Sequence, residues 1–214
     1  YRGLVGSEMC IRDRYISAIE KQGIQPVKTH RLEHMHTILS TGSPLTHGSF
    51  QYIYRCFNPS IQLSSISGGT DILSAFVAGN PCLPVYAGEI QCKTLGMDVQ
   101  IWSDSGESLN EIKGELVCVN SFPSSPIYFW NDPGDKKYKK AYFEKFTDVW
   151  CQGDYGEITS NGGIVIYGRS DAVLNPGCVR IVTAEFYRQF YKFDTISDSV
   201  CVGQKWYEDT RVIL

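Results

Sequence analysis

Apolar and polar positions recur with helical spacing in some stretches of the chain and alternate in others. In "THGSFQYIYRCF", Tyr52, Ile53 and Cys56 fall at helical intervals, which predicts an amphipathic helix. "YISAIEKQGI" reads as the end of a helix stopped by Gly23. "HTILSTGSPL" gives a short apolar run followed by a turn at Thr41-Gly42-Ser43-Pro44. "SIQLSSIS" predicts a strand that ends at the pair Gly68-Gly69. Strand, loop, helix, strand and loop in that order suit an α/β layer.

From about Leu83 the pattern changes. "LGMDVQIWSDSG" and "GELVCVN" alternate as strands do, with the turn-rich "SDSGESLNEIKG" between them. "YKKAYFEKF" predicts a short helix or turn. "DVWCQGDYGEITSNGGIVIYGRSD" predicts a β-hairpin turning at Asn161-Gly162-Gly163. "TAEFYRQFYKF" has aromatic residues at helical spacing behind a threonine start, and "SDSVCVG" reads as a further strand. The final "RVIL" is read as stopping in mid-strand, which suggests a segment of a longer chain. There is no internal repeat.

Composition narrows the function classes. At 214 residues, 43% hydrophobic and 20% charged, the chain can build one sizeable core or parts of two domains. The net charge is −3, and the densest cationic stretch is "DKKYKK", which is no nucleic-acid footprint. Apolar runs such as "ILSAFVAG" are far too short to span a bilayer, and no signal peptide is visible. The eight cysteines are widely and irregularly spaced without a CxxC pair. They read as small buried hydrophobes of a reducing, cytosolic compartment rather than zinc ligands or a disulfide framework.

The first residues stand apart. "LVGSEMCIRDR", Leu4 to Arg14, lacks apolar periodicity and matches one reading frame of a transposase adapter used in sequencing libraries. Residues 1–14 are therefore set aside, Cys10 with them, and the chain proper is taken to start near Tyr15.

Four pieces then line up in order: "STGSPL", "SSISGGTD", "CQGDYGEI" and "IYGRSDAVLNPGCVR". In that order they resemble the adenylate-forming acyl-CoA synthetases. The intervening "LPVYAGEIQCKTLGMDVQIW", "GELVC", "YFWND" and "KKAYFEKF" resemble the branch that activates acetoacetate, and the resemblance runs from Tyr15 to Leu214. It implies that residues 15–170 are the C-terminal part of the large adenylation domain, an α/β layer plus a β-rich subdomain. Residues 171–214 would be the hinge and the start of a small α+β C-terminal domain. The implied reaction joins ATP, acetoacetate and CoA into acetoacetyl-CoA, AMP and diphosphate through an acyl-adenylate, with Mg²⁺. The partners are then small molecules, not nucleic acid.

The resemblance also assigns residues. Ser65, Ile66, Ser67, Gly68, Gly69 and Thr70 would form a loop along the adenine, the α-phosphate and the acyl group. Thr70 would donate to the α-phosphate and Asp71 would help hold Mg²⁺. Related acetate-activating enzymes carry tryptophans in this loop, so Ser67 and Gly68 imply room for a longer acid. Gly42, Ser43 and Pro44 would turn against the adenine. Asp154 and Arg169 would bind the ribose hydroxyls, the one accepting and the other donating. Asp171 would be the hinge, and Arg180 would approach the ATP phosphates. Taken singly, each has a plainer meaning: a tight Gly-Gly turn, a Gly-Ser-Pro loop, a salt bridge across a hairpin, a turn at "RSDA", one cation among 20 basic residues.

One position departs from the family pattern. Asn175-Pro176-Gly177-Cys178-Val179-Arg180 has cysteine where the family has glycine, at the loop lining the pantetheine tunnel. If that glycine has φ > 0, Cys178 carries about 1–2 kcal/mol of strain and bears on the thioester step more than on adenylation. The family's phosphate loop and its C-terminal adenylation lysine are expected outside Tyr15–Leu214, so the 214-residue chain is expected to be inactive alone. The alternatives are a synthetase for another short acid, such as butyrate or a 3-hydroxy acid, and a non-catalytic nucleotide-binding module.

Overall fold

The structure is a computed structural model. It describes residues 12–42, 44–170, 173–174, 181–190, 193, 195–196, 199–206 and 209–213. Helix α1 (Arg12–Lys21) ends where Gly23 takes a φ of 66°. Strand β1 (Thr37–Ser40), helix α2 (His47–Cys56) and strand β2 (Gln62–Ser65) form a parallel crossover, with Thr37 paired to Gln62 and Ser40 to Ser65. Helix α2 starts because the Thr46 hydroxyl accepts from the Ser49 amide at 3.2 Å, satisfying an otherwise unpaired donor. The face predicted from Tyr52, Ile53 and Cys56 is buried against Ile16, Ile19, Phe57, Ile61 and Leu63. This is the expected α/β layer.

The second layer is β-rich, also as expected. Strands β3 (Ser67–Gly69), β4 (Ser74–Ala78) and β5 (Cys92–Lys93) form a three-stranded antiparallel sheet. Strands β6 (Val99–Trp102), β7 (Ser108–Leu109), β8 (Gly114–Cys118), β9 (Trp150–Ile158) and β10 (Ile164–Arg169) form a five-stranded sheet in the order β10-β9-β8-β6-β7. The predicted hairpin is β9-β10, and Gly162 in its turn has a φ of 77°. Ile72, Phe76 and Val77 pack with Val99, Ile101, Leu116, Trp150 and Ile164, so one apolar core joins both sheets.

Helix α3 (Lys136–Phe143) carries the predicted "YKKAYF" turns and lies against β9. Its first turn is fixed by Asp132, whose carboxylate accepts from the Lys137 and Tyr138 amides at 2.9 Å each. Beyond residue 170 come short β11 (Val173–Leu174) and β12 (Ile181–Val182), helix α4 (Thr183–Phe190), and the hairpin β13 (Val202–Trp206) with β14 (Asp209–Ile213). The strand expected over "SDSVCVG" begins only at Val202. Arg211, Val212 and Ile213 of "RVIL" lie on β14, with Ile213 paired to Val202, and Leu214 lies outside the described residues. Among the described residues no helix is long and apolar enough to cross a membrane.

One charge cluster is centred on a buried carboxylate of the five-stranded sheet and reaches out to the surface. Glu115, 3% exposed on β8, accepts from Lys145 at 2.9 Å and from the Ser170 hydroxyl at 2.7 Å. Lys145 also reaches Asp104 at 3.0 Å. Burial, with the Glu115 charge beside it, pushes the Cys151 thiol up to about 12.

Candidate functional site: a glycine strand clamped against a hairpin

The segment read as a loop from Ser65 to Thr70 is built differently. Strand β2 ends at Ser65, Ile66 donates its amide to the Ser40 carbonyl at 2.8 Å, and β3 starts at Ser67. The Gly-Gly pair therefore closes a strand of its own, β3, rather than lying in a loop. A register shift between Ser67 and Gly68 presses the Gly68 backbone onto its partner. A Cβ at Gly68 would strike the Ser74 carbonyl and lie 2.7 Å from Ala75 Cα. The facing backbone thus excludes a side chain at Gly68. The turn follows at residues 70–73, where Leu73 donates to the Thr70 carbonyl at 3.2 Å with a φ of 48°.

The hairpin β9-β10 clamps this strand. Gln152 on β9 donates to the Gly68 carbonyl at 3.1 Å and accepts from the Trp150 indole at 3.0 Å. Asp154, 7% exposed, accepts from the Ser67 hydroxyl at 3.0 Å and from Arg169 Nη1 at 3.1 Å. Arg169 also donates to the Gln152 carbonyl at 2.9 Å. Burial pushes the Asp154 carboxyl up, opposed by the Arg169 charge and the Ser67 hydroxyl. Between Gln152 and Asp154 sits Gly153, with a φ of 76°; a Cβ there would lie 2.5 Å from Arg169 Nη2. Glycine lets the chain bend under the guanidinium.

Thr70 and Asp71 are exposed at the open end of β3. The Tyr142 hydroxyl on α3 donates to Asp71 Oδ2. Burial and the Asp71 carboxylate raise the Tyr142 pKa well above its usual value. The Tyr142 ring stacks on Trp150, with centroids 3.7 Å apart and planes 15° apart. Among the described residues no three His, Cys, Asp or Glu side chains are grouped for a metal. A lone exposed carboxylate fits a magnesium ion held mainly by substrate phosphates and water, not a protein cage.

Gly42, with a φ of 101°, and half-buried Pro44 follow β1, beside the ends of β1 and β2. There the Ser40 hydroxyl is 4% exposed and has no hydrogen-bond partner. Ser43, Asp171, Gly177, Cys178 and Arg180 lie outside the described residues. The structure thus brings Ser65–Asp71 together with Asp154 and Arg169. Sequence reasoning missed Gln152, Gly153 and Tyr142. The available signals were a polar Gln152 amid "VWCQGD", a glycine beside it, and an aromatic in "KKAYFEKF".

This fold is that of the adenylate-forming enzymes. No family model matches the chain. Over 94% of its length the chain is similar to acetoacetyl-CoA synthetases, which bears out the resemblance read from the motifs. It is 52% identical over 201 residues to the acetoacetyl-coenzyme A synthetase of Rhizobium meliloti. It is 48% identical over 203 residues to that of Macaca fascicularis, again over 94% of this chain. It spans 31% and 30% of the length of these two curated relatives. The solved acetoacetyl-CoA synthetase of Streptomyces lividans superposes with a TM-score of 0.82 at 36% identity, covering 94% of this chain and 32% of that one. The anthranilate CoA ligase AuaEII, solved in complex with anthranoyl-AMP, superposes at 0.72 with 14% identity, covering 96% and 40%, and shows the fold alone.

Proposed function

We propose that the protein containing this chain activates acetoacetate with ATP and transfers the acyl group to CoA. One observation carries this reading: buried Asp154 joins Ser67 of the glycine strand to Arg169 of the hairpin. A carboxylate and a guanidinium held side by side can accept from and donate to vicinal ribose hydroxyls. The strand they grip leads directly to Thr70 and Asp71.

The chemistry follows in two steps. An acetoacetate oxygen attacks the α-phosphorus, and the bond to diphosphate breaks with its electrons. The CoA thiol, losing its proton to solvent, then attacks the acyl carbon and expels AMP. Both steps depend on positioning and on stabilising phosphoryl charge. Thr70 donates its hydroxyl to an α-phosphate oxygen, and Asp71 would hold Mg²⁺, which neutralises phosphate charge when bound. Ser65, Ile66, Ser67, Gly68 and Gly69 border the nucleotide and acyl group, and Gly42, Ser43 and Pro44 border the adenine. For Arg180, Asp171, Gly177 and Cys178, which lie outside the described residues, the resemblance alone supports roles toward the phosphates, the hinge and the CoA tunnel. Acid choice rests on acetoacetate, which the similar proteins' names carry.

The test is isotope exchange between ATP and labelled diphosphate in the full-length protein, with acetoacetate, butyrate and 3-hydroxybutyrate compared. Acid-dependent exchange with the highest kcat/KM for acetoacetate supports the reading. Faster exchange with butyrate overturns the acid assignment, and exchange that ignores the acid overturns the whole. The 214-residue chain alone is expected to show no turnover.

A further inference from the structure

We propose that Tyr142 is a positioning residue that orients the Asp71 carboxylate toward the cation–phosphate complex. The inference rests on the reading of Asp71 above. Asp71 lies on an exposed turn, and a carboxylate there has free rotamers. Tyr142 removes that freedom. Its hydroxyl takes Asp71 Oδ2, which leaves Oδ1 to meet a cation. A neutral donor restrains the carboxylate without supplying a competing positive charge.

Tyr142 is itself held from several sides. Its ring stacks on Trp150, which is 3% exposed. Phe129 and Tyr138 meet it edge-on, with centroids 6.1 Å and 6.0 Å away. Asp132 fixes the first turn of α3, the helix that carries it. Trp150 is tied through Gln152 to the Gly68 carbonyl. The tyrosine and the strand that delivers Asp71 therefore share one anchor. A shared anchor of this kind is what preorganisation of a binding group requires.

The experiment uses the full-length protein and the variants Tyr142→Phe, Asp71→Ala and the double variant. Phenylalanine keeps the stack on Trp150 and deletes only the hydroxyl. Calorimetric titration with ATP at stepped Mg²⁺ concentrations is the readout, and ATP without Mg²⁺ is the control. Tyr142→Phe is expected to raise the half-saturating Mg²⁺ about tenfold, equivalent to ~1.4 kcal/mol. Binding of metal-free ATP is expected to be unchanged. In the Asp71→Ala background the Tyr142→Phe change is expected to have no effect. A Tyr142→Phe variant with the wild-type Mg²⁺ dependence overturns the proposal alone, as does a loss that persists without Asp71 or extends to metal-free ATP. A wild-type protein whose ATP binding ignores Mg²⁺ overturns the reading of Asp71 first, and the proposal with it.

Discussion

Gly153 is where a single methyl group should do the most damage. It has a φ of 76°, and a Cβ there would lie 2.5 Å from Nη2 and 3.1 Å from Cζ of Arg169. Gly153→Ala incurs about 1–2 kcal/mol for the left-handed backbone alone. It also pushes the guanidinium off two acceptors, Asp154 Oδ1 at 3.1 Å and the Gln152 carbonyl at 2.9 Å. Arg169 is half-exposed and regains water when displaced, so the lost bonds add only about 1 kcal/mol to that cost. Destabilisation of roughly 2–3 kcal/mol follows. On the proposed ribose-binding role of Arg169, its displacement should raise the KM for ATP by about 10- to 100-fold. Melting of the full-length protein and ATP-dependent diphosphate exchange measure the two effects. Gly153→Asn separates them, because asparagine tolerates the dihedral but keeps the Cβ. It should recover much of the stability and little of the affinity. An alanine variant with wild-type melting and wild-type KM would refute the reasoning.

The other expectations can be checked on the same protein. Gln152→Leu leaves the buried Trp150 indole N–H and the Gly68 carbonyl unpaired, at about 1–3 kcal/mol each, and faster amide exchange over residues 67–69 would report the freed strand. Unchanged exchange there would mean that Gln152 does not hold β3. Cys151, with its thiol raised from 9.0 to about 12, should resist thiol reagents at pH 8, whereas exposed Cys82 should react first. The same shift favours the protonated, folded state: its contribution is complete below pH 9.0 and is lost as the pH rises to about 12. A melting temperature that rises over that interval would contradict the sign.

Much of the fold was legible because local signals and tertiary packing agree. Tyr52, Ile53 and Cys56 mark the buried face of α2, and Asn161-Gly162-Gly163 marks the β9-β10 turn, each within a few residues of sequence. The Gly-Gly strand was not legible. Serine and glycine are poor strand formers, and β3 exists because Ser74–Ala78 lies alongside it. Gly68 was read as space for a longer acid, yet its own hairpin partner fills the place of a side chain. Asp154 and Arg169 stand in ordered motifs, and their register across the hairpin puts them opposite each other. Gln152, Gly153 and Tyr142 were missed because their roles are long-range. Tyr142 meets Asp71 across 71 positions, and no spacing rule reaches that far.

The most direct measurement is a crystal structure of the full-length protein with a non-hydrolysable acetoacetyl-adenylate mimic. The ribose hydroxyls are expected within about 3 Å of the Asp154 carboxylate and the Arg169 guanidinium, and the Thr70 hydroxyl on the α-phosphate mimic. A mimic bound elsewhere, with Asp154 still occupied only by Ser67 and Arg169, would contradict that expectation.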